Sequence, residues 1–182
     1  MRKWAGFWTG GFAWGNWKKN TIIPQYDERY VSLRKEAFEM KKQYIDGKIK
    51  EKGFLTVFEQ ANCRLSKIGI CGGHPQDIYA AQHLDTGTIK TKRRKNAEIL
   101  LRHNAGIFEL RENDCPLFVP ILSDNRDALR KYLINHDIYC PVHWPHWDLA
   151  GRELSLVCDQ RYDEEDMLRV CECIKEFHKG NL

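Results

Sequence analysis

The sequence lacks the long apolar run that a membrane-spanning helix requires. Such a helix needs about 20 consecutive apolar residues, and no stretch of this chain approaches that length. The chain also opens without the apolar core of a secretory signal peptide. We therefore expect neither a membrane partner nor secretion.

The cysteines lack the spacing of a disulfide framework. There are seven of them, an odd number, and they are scattered without a Cys-x-x-Cys pair. This usage is typical of proteins in a reducing compartment, so we predict a cytoplasmic location.

Charge of one sign is not in large excess. The chain has 29 basic and 25 acidic residues, a net charge of +4. Its most basic segment, residues 90–95, has neither glycine nor aromatic residues among its lysines and arginines. We interpret it as a solvated helix face, with a nucleic-acid patch as the alternative, and we predict no nucleic-acid partner.

A strand followed by a helix and a loop occupies residues 116–145. Residues 117–122 are mostly apolar and have the length of a strand, and residues 123–125 offer side chains that can cap a helix. Apolar residues recur at helical spacing through Asn135. The prolines after Cys140 then predict an irregular loop, which is where α/β and α+β domains commonly place ligand chemistry.

The preceding chain reads as a mostly helical arm. After an aromatic segment over residues 1–17, patterns of helical spacing begin near Asp27 and Gly53. Pro75 and the capping residues Asp85 or Thr86 are start signals that predict two further helices. We assign this arm to residues 1–103.

Residues 104–182 alternate between strand and helix patterns. The predicted order is strand, strand, helix, strand, strand, helix, with short strands near residues 107–110 and 138–140 in addition to those near 117–122 and 154–158. This order predicts an α+β domain with a small mixed sheet that carries its helices on one side.

Several segments, in order, resemble the C-terminal small domain of fold-type I pyridoxal-phosphate enzymes, most closely the DegT/StrS-type sugar aminotransferases. The resemblance covers nearly the whole chain. The matching segments are RRKN at 93–96, LFVPIL at 117–122, NRDALRKYLINHDIYC at 125–140, VHWP at 142–145 and LSLVCDQRY at 154–162.

The resemblance implies a role for Lys3. In that family the lysine that binds pyridoxal phosphate is followed seven and eight residues later by two glycines, and Gly10 and Gly11 stand at that interval from Lys3. Lys3 is thus the expected catalytic and cofactor-binding residue. The family's large domain, which holds the cofactor phosphate and the pyridinium nitrogen, would have to be supplied by a separate cofactor-binding half, so we expect little activity from this chain alone.

The resemblance also places the loop of His143 and Trp144 next to the substrate. The imidazole can donate a hydrogen bond to a substrate oxygen, and the indole can cover an apolar face. An alternative for this loop is a zinc site formed by Cys140, His143, His146 and Cys158, but it lacks the usual ligand spacing, and we predict no metal.

The alternative function is a non-catalytic interaction or dimerisation module that retains only the fold. The aromatic segment at residues 1–17 contains Trp4, Phe7, Trp8, Phe12, Trp14 and Trp17. Such apolar rings must be buried against this chain or against another one. We therefore expect a homodimer that uses this segment and the helices before residue 104.

Overall fold

The computed structural model describes residues 4–10, 25–103, 106–143 and 151–180. The chain divides into two compact units, Met1–Leu84 and Asp85–Leu182. Within the described ranges, no helix is both long and apolar enough to cross a membrane.

The first unit contains three helices, α1 (Glu28–Ile45), α2 (Phe54–Leu65) and α3 (Pro75–Gln82). The first two were predicted from apolar spacing, and α3 was predicted from Pro75 as a first-turn residue. Asp27 caps α1 by accepting a 2.7 Å hydrogen bond from the Tyr30 N–H. The same carboxylate forms an ion pair with Arg64 at 2.5 Å, and hydrogen bonding from Arg64 lowers the pKa of Asp27. Asp27 therefore caps α1 and also connects the start of α1 to α2 through its ion pair with Arg64.

The described part of the aromatic segment, residues 4–10, is attached to its own unit through Asp77. This carboxylate accepts hydrogen bonds from the Thr9 N–H at 2.9 Å and from the Thr9 hydroxyl at 2.7 Å. The Phe7 ring is buried, and the Trp8 ring makes an edge contact with the His74 ring. At least these two aromatic rings are therefore covered by their own chain. Phe12, Trp14 and Trp17 lie outside the described residues.

The second unit alternates helices and strands. Its elements are α4 (Thr86–His103), β1 (Phe118–Leu122), α5 (Arg126–Asn135), β2 (Glu153–Val157) and α6 (Glu164–Gly180). The predicted α+β class is confirmed. The helix α4, which the sequence analysis assigned to the arm, lies in this unit because its buried Ala97 and Leu100 join the same core as α6.

The sheet in the described residues has two antiparallel strands, in place of the four-stranded mixed sheet that the sequence pattern predicted. Residues 107–110 and 138–140 are not strands. Each region makes a single backbone hydrogen bond to the sheet, and a proline carbonyl is the acceptor in both. The Ile107 N–H donates to the carbonyl of Pro120 in β1, and the Ser155 N–H in β2 donates to the carbonyl of Pro141. Because proline has no N–H to return, neither bond can become a reciprocal pair of a ladder.

The core of the second unit lies on one face of the sheet. Val119 pairs with Leu156 and Ile121 with Leu154, so these four side chains point to the same face, and all are buried. The helices α4, α5 and α6 cover them with apolar residues that include Leu100, Leu129, Leu133, Met167, Ile174 and Phe177. The opposite face of β2 carries Glu153 and Ser155.

Candidate functional site

Three polar residues form a hydrogen-bonded group on that opposite face, which we call the His143 cluster: His143, Glu153 and Ser155. The Ser155 hydroxyl donates to Glu153 Oε1 at 2.5 Å, and His143 Nδ1 lies 2.8 Å from Ser155 Oγ. The backbone N–H of His143 donates to Glu153 Oε2 at 2.9 Å. Glu153 Oε2 therefore binds the His143 backbone directly, and Glu153 Oε1 is linked to the His143 ring through the Ser155 hydroxyl.

The local sequence explains how these groups meet. In β2 the residues Glu153 and Ser155 alternate with Leu154 and Leu156, so the leucines enter the core while the polar pair faces away from it. The Ser155 N–H donates at 3.1 Å to the carbonyl of Pro141, and this bond fixes the chain beside β2 immediately before His143. A polar strand face and a neighbouring loop are thereby brought together.

The cluster is largely withdrawn from water. Glu153 is 5% exposed and Ser155 is 2% exposed, while His143 is half-buried. The Phe118 ring of β1 lies 4.7 Å from the imidazole, centroid to centroid. A buried carboxylate is costly unless it is hydrogen-bonded, and the two hydrogen bonds to Glu153 satisfy that requirement. Because Glu153 and Ser155 are buried, the hydrogen bonds that they make hold the imidazole in one position.

The structure describes one of the three site residues expected from the sequence. His143 lies in the cluster, whereas Lys3 and Trp144 lie outside the described residues, as does His146. Glu153 and Ser155 were not recognised from the sequence. The signal that could have identified them is the alternation E-L-S-L, in which two polar residues share one face of a strand whose other face is leucine.

The cysteines near the loop have the character of buried thiols. Burial raises the pKa of the Cys140 thiol to about 11 and that of the Cys158 thiol to about 12. Metal ligation needs the thiolate. Among the residues that the structure describes, no group of three or more His, Cys, Asp or Glu side chains is placed to hold a metal ion.

The residues of the RRKN segment are tied to neighbouring loops. Arg93 is buried and donates from Nε to Gln160 Oε1 at 2.7 Å, and Arg94 donates to the carbonyl of Arg111 at 2.6 Å. Lys95 pairs with Glu164 at 2.7 Å. The predicted solvated face is therefore correct for Lys92 and Lys95, which are exposed, but not for Arg93, which is buried, or Arg94, which is half-buried.

Asn96 and Asp159 organise the turn that follows β2. The buried Asn96 amide donates 3.0 Å hydrogen bonds to the carbonyls of Asp159 and Tyr162. Burial of the Asp159 carboxyl acts to raise its pKa, but hydrogen bonds from Arg161 outweigh burial and the pKa is lowered. The Asp159 carboxyl group is therefore ionised at neutral pH. The hydrogen bonds of Asn96 connect α4 to the turn that follows β2.

The described residues around His143 do not by themselves fit pyridoxal phosphate. That cofactor needs a lysine, an acidic partner for its ring nitrogen and donors for its phosphate. The contacts of His143 include a carboxylate, a hydroxyl and a phenyl ring. This set can hold a histidine in place.

No family model matches the chain, and no curated protein matches it.

Proposed function

We propose that this chain is the C-terminal part of an aminotransferase-like protein of the fold-type I class, in which the loop at His143 lies on the substrate side of the site. The observation that carries the proposal is the hydrogen-bonded attachment of His143 to Glu153 and Ser155. These bonds fix the orientation of the imidazole, which a side chain that binds a substrate in one geometry needs.

The role proposed for the cluster is to bind and orient. His143 would form a hydrogen bond with a polar group of an amino or keto substrate, and Trp144 would cover an apolar face of it. Pyridoxal phosphate, when bound, would supply the electron sink for amino-group transfer. Lys3 would hold it, and the separate cofactor-binding half would provide the phosphate and ring contacts that the described residues do not supply.

The proposal predicts that Lys3 reacts preferentially with pyridoxal phosphate. The full chain is mixed with the cofactor, treated with borohydride to trap lysine adducts, and mapped by peptide mass spectrometry. We expect Lys3 to be labelled ahead of every other lysine, because the aromatic residues that follow it in the sequence would desolvate its amine and make it more nucleophilic at neutral pH.

The matched control is Lys18→Arg, which should leave the labelling of Lys3 unchanged, whereas Lys3→Arg should abolish the preferred adduct. A label spread evenly over the surface lysines would contradict the proposed role of Lys3.

A second candidate function, a non-catalytic association module, is favoured by the apolar surface of the first unit. Ile70 is 91% exposed, Ile45 is 70% exposed and Leu55 is 56% exposed. Full burial of such a side chain contributes about 1.5–3 kcal/mol. Pairing of two copies through this unit would bury these residues, and this remains our proposal for the homodimer.

Association through the first unit predicts a dimer that responds to substitution there. Light scattering of the full chain should give the mass of a dimer, and the double variant Ile45→Glu, Leu55→Glu should give that of a monomer, since two carboxylates would be placed in the interface. Tyr139→Glu, at a 65% exposed site of the second unit, is the control and should remain dimeric. A monomeric wild-type chain would rule out this mode of association.

A further inference from the structure

A narrow cleft of about 100 Å³ lies in the second unit between the segment that follows α5 and the first turns of α6. Its floor is apolar and includes Ile138, Val157, Met167 and Val170. This volume corresponds to about three water molecules at the density of the liquid. The cleft therefore admits the end of a small molecule or a single side chain, and it is too small for a whole cofactor.

The charged residues that line the cleft leave an excess of negative charge. They are Asp137, Asp166 and Arg169, so two carboxylates against one guanidinium leave one negative charge. Arg169 donates a hydrogen bond to the His136 carbonyl, which holds its side chain at the end of α5. The C-terminal end of α5 and the N-terminal end of α6 both border the cleft, and their partial charges offset each other because they are opposite in sign. A cation is therefore the ligand that the cleft favours.

Two further arginines near the cleft are bound to other groups. Arg130 donates to the Cys140 carbonyl at 3.1 Å. Arg161, whose guanidinium carbon lies 5.6 Å from the centroid of the Tyr162 ring, donates from Nε to Asp159 Oδ2 at 3.0 Å. The Asp159 carboxylate balances the charge of Arg161, and neither arginine lines the cleft. The negative charge of the cleft is therefore available to a ligand.

Asp137 occupies a backbone position that usually belongs to glycine. Its φ is 59°, in the left-handed region, and it directly follows the C-cap residue of α5. The turn is held by backbone groups, since the Asp137 N–H donates to the Ile134 carbonyl at 3.0 Å and the Ile138 N–H donates to the Leu133 carbonyl at 2.9 Å. Within the described part of the unit, the Asp137 carboxylate has no hydrogen-bond or ion-pair partner. The turn therefore does not need this carboxylate.

We propose that the cleft binds an alkylammonium group, with its carbon chain on the apolar floor and its charged nitrogen at Asp137 and Asp166. The rings of Tyr139 and Tyr162 also line the cleft, and an aromatic ring attracts a cation placed over its face. A free small amine and the lysine side chain of another protein both present this group. None of the lining residues belongs to the His143 cluster, so the inference is independent of the proposed function.

The test is titration of the ¹⁵N-labelled full chain with n-butylammonium chloride, monitored by backbone ¹H–¹⁵N NMR. We expect saturable shifts at millimolar concentrations for the amides of residues 137–140 and 166–170. n-Butanol, which has the same carbon chain without the charge, should bind more weakly. The lysine analogue Nα-acetyl-lysine methylamide should bind at least as tightly as n-butylammonium if a lysine side chain is the natural ligand, and more weakly if a free amine is. The absence of saturable shifts with both amines, or equal binding of n-butanol, would overturn the proposal.

Removal of either carboxylate charge is expected to weaken the binding of n-butylammonium. Asp137→Asn and Asp166→Asn should each lower the affinity about fivefold, which is about 1 kcal/mol at 1.4 kcal/mol for each factor of ten. Asparagine at position 166 can still accept the hydrogen bond that Asp166 receives from the Asp163 N–H at 3.1 Å. The matched control is Glu172→Gln, an exposed acidic residue of α6 that does not line the cleft, and it should leave the affinity unchanged. An equal loss in the control would overturn the assignment of the site.

The variant Asp137→Gly separates binding from folding. Its unfolding midpoint in urea should be close to that of the wild type, because glycine relieves the left-handed strain while it gains freedom in the unfolded chain. Its affinity for n-butylammonium should nevertheless fall about fivefold, as in Asp137→Asn. Wild-type affinity in Asp137→Gly would overturn the proposal. A large loss of stability would also count against it, since the carboxylate would then support the turn.

Discussion

Replacement of Leu129 by aspartate is expected to remove most of the stability of the second unit. Leu129 is fully buried on α5, in the core that faces β2 and α6. Truncation of a buried leucine to alanine costs about 2–5 kcal/mol, and a carboxyl group buried there without a partner adds a further penalty. Because domains are stable by about 5–15 kcal/mol, unfolding monitored by circular dichroism in urea should shift to far lower denaturant.

The neighbouring residue provides a matched control for this substitution. Ala128 lies on the same helix but is exposed, and exposed substitutions change stability by about 0.5 kcal/mol or less. Ala128→Asp should therefore unfold close to the wild-type midpoint. Equal midpoints for Leu129→Asp and the wild type would mean that the buried face of α5 is misassigned.

Replacement of Asn96 by alanine is expected to cause the second large loss of stability. Its amide donates to the carbonyls of Asp159 and Tyr162, and Asn96 is 1% exposed. Alanine would leave these acceptors without their donor. A buried unsatisfied group costs about 1–3 kcal/mol, and the bond to Tyr162, which is only partly buried, should contribute less than the buried bond to Asp159. We expect a total loss of about 2–4 kcal/mol in the free energy of unfolding, measured by urea denaturation.

The control for Asn96 is Lys92→Ala, one turn earlier on α4. Lys92 is exposed, so its replacement should leave the unfolding midpoint nearly unchanged. If both variants lost the same stability, the effect would come from helix α4 in general and not from the link between Asn96 and the turn after β2.

The sequence by itself determined the local elements of this protein. The six helices of the described residues lie where apolar spacing, or a start signal such as Pro75, predicted them, and strands β1 and β2 coincide with short apolar runs between polar turns. Pro141 predicted an irregular loop, and residues 141–143, the part of that loop that the structure describes, form no strand. These features are readable because periodicity and backbone restrictions act over a few neighbouring residues.

Only the tertiary structure decided which groups meet. Residues 107–110 and 138–140 stay outside the two-stranded sheet, and Arg93, in a basic run, binds Gln160. Glu153 and Ser155 acquire their role because the face of β2 that turns away from the leucine core is the one on which His143 lies. Partners separated by ten to seventy residues leave no local pattern, since burial and hydrogen bonding across the fold depend on how the elements pack and not on their own sequences.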